Sequence, residues 1–206
     1  MRMKIALVGD SVFDNKVYVG VERSTQEWLQ ELLPEDDILL FAIDGSVTKD
    51  VIDSQIGKIA EQNVDAFFVS TGGNDALSYS NIIYEGFDDQ TVRTLRYAQV
   101  AFKQEYEELV QKLKATDRPL AVFTAYNGNF LPDEDVQNAA SVAIAIFNDV
   151  IYRVSCRHNV PVFENRSIFT RTADYANPIE PSTIGSEKMA TAMSDWVRRL
   201  PKRTRE

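Results

Sequence analysis

The stretch that decides the fold covers residues 4–11 and reads KIALVGDS. It is a short apolar run closed by a glycine turn, which is typical of a strand buried on both faces of a parallel sheet. Four similar runs follow, and together they predict strands over residues 4–8, 38–43, 66–70, 120–124 and 160–163. The chain is therefore expected to build one sheet of five strands.

Amphipathic stretches lie between these runs. A capping box over residues 24–27 predicts the start of a helix that Pro34 ends. Ile52, Ile56 and Ile59 recur at helical spacing after the second strand. Longer amphipathic helices are predicted over residues 88–115, 134–157 and 186–199.

Regular alternation of strand and helix predicts the α/β class, as a doubly wound three-layer sandwich with a five-stranded parallel sheet of flavodoxin-like type. We expect the strand order 2-1-3-4-5, with ligands bound outside the carboxyl ends of the strands. One domain is expected over residues 1–200, followed by a short basic tail over residues 201–206.

Composition narrows the possible functions. The net charge is −9, so binding to nucleic acid gains nothing from counterion release, and no nucleic-acid partner is expected. Cys156 is the only cysteine, which excludes an intramolecular disulfide. No apolar run reaches transmembrane length and no signal-peptide pattern is present, so we expect a cytoplasmic protein without a membrane partner. Neither a metal-ligand cluster nor a phosphate-binding motif occurs, so no cofactor is expected, and the oligomeric state stays open.

Polar residues follow the first three strands at the expected ligand-binding edge. Gly9-Asp10-Ser11 ends the first strand, Gly45 follows the second, and Gly72-Gly73-Asn74-Asp75 follows the third. Acyl transfer needs a nucleophile and hydrogen-bond donors for the oxyanion that forms. The Ser11 hydroxyl would supply the nucleophile, while the N–H groups of Ser11 and Gly45 and the amide of Asn74 would supply the donors.

These loops resemble the SGNH (GDSL-type) hydrolases, a class that includes esterases, lipases, thioesterases and deacetylating enzymes. The class has a serine in a Gly-Asp-Ser block, a glycine, an asparagine in a Gly-x-Asn-Asp block and a histidine in a C-terminal Asp-x-x-His block. Ser11, Gly45 and Asn74 match the first three. The resemblance implies a catalytic role for these residues and hydrolysis of a small ester or acylated substrate.

The fourth block departs from this pattern. Residues 177–182 read NPIEPS, so Glu180 stands at the position of the family's histidine and Asn177 at that of its aspartate. The stretch 176–182 resembles one in a bacterial subgroup of the class. His158, the only histidine, follows a predicted helix and suits a structural role at its C-terminus. We do not expect it near Ser11.

Two hypotheses follow from Glu180. It is either a carboxylate base for a Ser11 acyl-enzyme, with a pKa raised by burial, or the base is absent and the fold is a catalytically silent ligand-binding protein. We favour the serine esterase or acyl hydrolase. A flavodoxin-like cofactor binder is disfavoured, because the first loop is short and poor in hydroxyl groups for phosphate.

Other polar and aromatic residues have secondary expectations. Asp10 is expected to order the Ser11 loop, Asp14 and Asp75 to brace their turns, and Asp174 to be a candidate for orienting a catalytic partner. Aromatic side chains that could wall a substrate site, or simply pack beneath long loops, are Tyr79, Tyr84, Phe87, Tyr126 and Phe130.

Overall fold

The protein is described from a computed structural model, which covers residues 2–79 and 88–201. Five strands form one parallel sheet in the order β2-β1-β3-β4-β5, as the sequence predicts. Their bounds are β1 Lys4–Gly9, β2 Asp37–Leu40, β3 Ala66–Ser70, β4 Leu120–Phe123 and β5 Val162–Phe163. Tyr84, Phe87 and the tail beyond residue 201 lie outside the described residues.

Helices cover both faces of the sheet. Those described are α1 Lys16–Val19, α2 Thr25–Leu32, α3 Thr48–Asp50, α4 Ile56–Ala60, α5 Gly73–Leu77, α6 Asp89–Lys114, α7 Glu134–Arg157, α8 Asn165–Ile168 and α9 Thr183–Arg198. A π-helical turn, Val51–Gln55, joins α3 to α4, and a 3-10 turn covers Thr172–Asp174. The predicted doubly wound sandwich is confirmed.

Two apolar cores, one on each face, follow from the alternation of side chains along the buried strands. In β1, Ala6 and Val8 pack with the core beneath α6 and α7, whereas Ile5 and Leu7 pack with the core beneath α2 and α9. Helices therefore pack against both faces of the sheet, which holds its carboxyl edge and the loops that follow in fixed positions.

Some predicted boundaries were wrong. The regular part of β2 ends at Leu40, because the N–H groups of Phe41 and Ala42 both donate to the carbonyl of Leu7 and break the ladder. The last helix begins at Thr183 rather than at residue 186, because the Ser182 side chain caps it. Gly185 lies inside that first turn. A Cβ at this position would come within 2.3 Å of the Asp174 carbonyl oxygen, so only glycine fits.

Helix α7 is long and apolar, although the sequence predicted no run of membrane length. By length and composition alone it is the one helix in the described part of the chain that could cross a membrane, with a mean hydropathy of 1.3 in its most apolar window. One face of this helix is buried against α6 and the sheet. That arrangement is the usual one for a long core helix.

Candidate active site

The turn that carries Ser11 is fixed by its neighbours on both sides. Gly9 has φ +137°, and a Cβ at this position would lie 1.8 Å from the Ser70 carbonyl oxygen, so only glycine fits. The buried side chain of Gln55 receives the Gly9 N–H at 2.9 Å and donates to the Gly9 carbonyl at 2.7 Å. Asp10 accepts the Val12 N–H, as expected for a residue that orders this loop.

Glu180 lies next to Ser11, although 169 positions separate them in the sequence. The Ser11 hydroxyl donates to Glu180 Oε1 at 3.1 Å, and both residues are buried. Asn177 accepts the N–H groups of Ile179 and Glu180, each at 2.9 Å, which holds this segment in a tight turn. Asn177 thus shapes the backbone around Glu180 and makes no hydrogen bond to its carboxylate.

The environment of Glu180 favours the neutral acid. The side chain is only 4 % exposed, and Oε2 has no hydrogen-bond partner among the described residues. Burial raises the pKa of Glu180 to about 7, the hydrogen bond from Ser11 opposes the rise, and the negative charge of Asp44 adds to it. A carboxyl group with this pKa can both take and return a proton near neutral pH.

Two further buried carboxyl groups surround the Ser11 loop. Burial raises the pKa of Asp10 to about 8, with smaller contributions from the charges of Glu180 and Asp75. Burial also raises the pKa of Asp75 to about 6, against the hydrogen bonds it accepts from the N–H and hydroxyl of Thr48. Asp75 therefore braces the segment after Gly45, and its carboxylate also contacts its own backbone N–H.

The proposed oxyanion donors follow β1, β2 and β3, and Asn74 lies in the first turn of α5. Asn74 donates from Nδ2 to the Ser46 carbonyl at 3.0 Å, which uses one of its two amide hydrogens and leaves the second. Within the described part of the chain, neither the Ser11 N–H nor the Gly45 N–H donates to a protein group. Gly45 has φ +79° and precedes Ser46 directly, although it does not line the cavity described below.

Asn15, which the sequence did not single out, joins the two halves of the site. Its fully buried amide donates to the Pro181 carbonyl at 3.2 Å and to the Ser186 hydroxyl at 2.8 Å, and its carbonyl accepts the Thr25 N–H at 3.0 Å. A single side chain thus holds the loop after Ser11 against the residue after Glu180. No local pattern marks this role, because the partner lies 166 positions away.

Gln55 was also missed, but the sequence contained a usable signal. It lies three residues after Ile52 and four before Ile59, and so on the apolar face of its predicted helix. A polar side chain at such a position usually has a buried hydrogen-bond partner. Here the partner is the backbone of Gly9.

Two other residues lie away from Ser11. His158 caps the far end of α7, with Nε2 3.0 Å from Glu107 Oε1, in the structural position expected. Asp174 does not orient Glu180, so that candidate role was wrong. Its Oδ2 instead accepts from Lys188 at 2.7 Å and from the N–H groups of Thr170 and Arg171.

Asp14 accepts the Asp44 N–H and so braces the loop before Gly45.

A cavity of about 130 Å³ opens beside Ser11. Its polar lining includes Asp10, Ser11, Asn74, Asn127 and Glu180. Residues from α5, from the loop after β4 and from α7 line the apolar part, namely Ala76, Leu77, Ala125, Tyr126, Phe130, Val136, Ala140, Ala143 and Ile144. Tyr126 and Phe130 thus belong to the cavity wall, and the Tyr126 hydroxyl donates to the Ile179 carbonyl at 2.6 Å.

The family follows from a match that spans most of the chain. Residues 7–187 match the model of the GDSL-like lipase/acylhydrolase family, and this range includes Ser11, Gly45, Asn74 and Glu180. The chain belongs to this family of hydrolases. The resemblance seen in the first three loops is therefore confirmed at the family level. No curated protein sequence is a significant match.

Several solved structures share the fold. A phospholipase A1 from Streptomyces albidoflavus NA297 superposes with a TM-score of 0.72 at 15% identity, over 95% of this chain and 99% of that one. A lipase/acylhydrolase from Enterococcus faecalis gives 0.70 at 16% identity, over 99% and 100%. An extracellular lipase from Streptomyces rimosus gives 0.67 at 16% identity, over 94% and 100%.

Proposed function

We propose that this GDSL-family hydrolase cleaves a small ester or acylated substrate through a Ser11 acyl-enzyme, with Glu180 as the general base. The observation that carries the proposal is the buried 3.1 Å hydrogen bond from the Ser11 hydroxyl to Glu180 Oε1. A nucleophile and a base within hydrogen-bond reach, with donors beside them, form the minimal acyl-transfer site.

The reaction then proceeds in two halves. Ser11 Oγ attacks the substrate carbonyl carbon while its proton passes to Glu180, and the carbonyl oxygen becomes an oxyanion. The N–H groups of Ser11 and Gly45 and the free amide hydrogen of Asn74 stabilise that charge. Collapse breaks the bond to the leaving alcohol, which takes the proton from Glu180. In the second half Glu180 deprotonates a water molecule that attacks the acyl-enzyme, and the acid leaves as Ser11 recovers its proton.

Glutamate can replace histidine in this role because of its surroundings. An ordinary glutamate has a pKa of about 4.3 and would accept the serine proton poorly. Burial brings the pKa of Glu180 to about 7, in the range of an ordinary histidine. The Oε2 atom is consistent with this, since an ionised carboxylate is stabilised by hydrogen bonds and the described residues donate none to Oε2.

A fluorophosphonate probe tests the nucleophile. We expect wild-type protein to be labelled at Ser11, and Ser11→Ala to lose both labelling and hydrolysis of p-nitrophenyl esters. Ser78→Ala is the matched control, since Ser78 donates to the Asn74 carbonyl from outside the cavity. Labelling at another residue would reject Ser11. Absence of both labelling and hydrolysis in wild type would favour the silent ligand-binding alternative.

A further inference from the structure

The lining of the cavity beside Ser11 combines polar and aliphatic side chains. Polar lining side chains come from residues at or after the ends of β1, β3 and β4 and from Glu180, whereas Ala76 and Leu77 of α5 and the lining residues of α7 are aliphatic. Two alanines one helical turn apart, Ala140 and Ala143, form the α7 side together with Val136 and Ile144. A larger side chain at either alanine would take up the space that the cavity provides.

The charges around the cavity exclude one class of occupant. Asp10 and Glu180 line it, and no lysine or arginine does so among the described residues. Asp75, which follows Asn74 in α5, is also buried. An anionic group would enter a site of low polarity with no lysine or arginine among the described residues to pair with it, and Glu180 must itself be ionised to act as the base, so its entry would be costly.

The volume limits the length of the occupant. A cavity of about 130 Å³ has room for roughly four to ten groups of the size of a water molecule or a methylene. This suits a short or medium aliphatic chain and leaves no room for a long fatty chain to lie fully inside.

We propose that the cavity between α5 and α7 is the acyl pocket, that it takes an uncharged aliphatic acyl chain of about four to eight carbons, and that Ala140 and Ala143 set this limit. The inference rests on the proposed Ser11 chemistry, because Ser11 and the alanines line one continuous cavity. Leu77, on α5, lines the same cavity.

The test is a series of p-nitrophenyl esters with acyl chains from acetyl to palmitoyl. In wild type kcat/KM should rise about fourfold per methylene while the chain enters the cavity, reach its maximum between four and eight carbons, and then fall. A hemisuccinate ester, with a carboxylate on the acyl chain, should be a poor substrate compared with the butanoyl ester.

Filling the cavity should shift this maximum. Ala143→Leu should lower the ratio of kcat/KM for the octanoyl ester to kcat/KM for the acetyl ester by roughly 10- to 100-fold. Ala145→Leu is the matched control, because Ala145 lies on the same helix, is exposed and does not line the cavity. Its profile should stay as in wild type.

Failure of the inference and failure of the proposed function give different results. An enzyme that hydrolyses the acetyl ester through Ser11, with a chain-length profile unchanged by Ala143→Leu, overturns the acyl pocket alone. The same holds if Ala143→Leu changes the preference among acetate esters of different alcohols, since the cavity would then hold the leaving group. No hydrolysis of any ester would reject the Ser11 chemistry itself. Should Ala143→Leu fold poorly, Ala140→Val makes the same test with a smaller change.

Discussion

Two buried carboxyl groups, Asp174 and Glu180, lie six positions apart on one segment, and their surroundings differ sharply. Asp174 is fully buried, and its Oδ2 accepts from the Lys188 ammonium and from two backbone N–H groups. Glu180 is nearly as buried, but the Ser11 hydroxyl is its single hydrogen-bond donor within the described residues. Each has one oxygen without a partner in that part of the chain, so the difference lies in the donors to the other oxygen.

This difference decides the charge state of each group. Burial alone would raise the pKa of Asp174, but Lys188 and the two N–H groups outweigh it and hold that pKa below its usual value. The single hydroxyl beside Glu180 cannot offset burial, and the pKa of Glu180 rises to about 7. Compensated burial makes a structural carboxylate, whereas uncompensated burial next to a hydroxyl makes a candidate base.

The largest expected effect is on catalytic activity, which should depend strongly on Glu180 and weakly on Asp174. Glu180→Gln should lower kcat/KM by about 10² to 10⁴, the usual contribution of a positioned base, whereas Asp174→Asn should stay within roughly tenfold of wild type. Wild-type kcat/KM should fall as the pH drops through about 7, because Glu180 must be ionised to accept the proton. Steady-state kinetics on one activated ester at several pH values provide the measurement. Equal losses in the two variants would contradict the distinction.

The same two substitutions should change stability in opposite directions at pH 8. The folded-state pKa of Glu180 is raised, so its ionisation destabilises the fold as the pH rises from about 4.5 past 7, and Glu180→Gln should be more stable there by about 1–2 kcal/mol. Asp174 has a lowered pKa, so its ionised form stabilises the fold above its unfolded pKa, and Asp174→Asn should cost about 1–3 kcal/mol.

Urea unfolding at pH 8 and pH 4.5 measures both shifts. The gain from Glu180→Gln should fall to a few tenths of a kcal/mol at pH 4.5, because the wild-type carboxyl is then neutral in the folded state and only about half ionised in the unfolded state. A stability loss for Glu180→Gln at pH 8 would mean that Glu180 is held as a stabilised anion, as Asp174 is.

A smaller effect is expected from the side chain that holds the two loops together. Asn15→Ala removes the hydrogen bonds to Pro181 and Ser186, so Glu180 should lose part of its alignment with Ser11, with kcat lower by about tenfold. Water that reaches Glu180 should also move the acid limb of the pH profile to lower pH. KM should change little.

Asn165→Ala provides the matched control. Asn165 is an equally buried amide that donates to the Thr124 carbonyl at 2.8 Å and makes no bond to the Ser11 or Glu180 loops. Both variants should lose comparable stability in urea unfolding, but only Asn15→Ala should shift the pH profile. Identical pH profiles in the two would reduce Asn15 to a general structural role.

The smallest expected effect tests whether Glu180 is the group that titrates in the acid limb of the pH profile. Asn177→Asp keeps an acceptor for the N–H groups of Ile179 and Glu180 and adds a negative charge beside the base. This charge is exposed and screened, so the acid limb of kcat/KM should rise by less than about one pH unit. A fall in that limb would show that the titrating group is not Glu180.

Much of the fold was accessible from the sequence because its signals are local. Apolar runs closed by glycine indicated five buried strands, and alternation with amphipathic helices indicated their order. The boundaries that failed depended on contacts outside the segment. Examples are the two N–H groups that share the Leu7 carbonyl after β2, and the Ser182 cap that starts α9 earlier than expected.

For the candidate site, too, local signals were predictable from the sequence and contacts between distant segments were not. The sequence by itself determined which loops meet at the carboxyl edge of the sheet and which family their motifs belong to, because strand order and motif spacing are written along the chain. Only the tertiary structure decided that Glu180 reaches Ser11 and that Asp174 does not assist it. It also decided that Asn15 joins the two loops. These facts depend on distance, burial and donors from segments far apart in the chain, and those same quantities set the pKa of a carboxyl group.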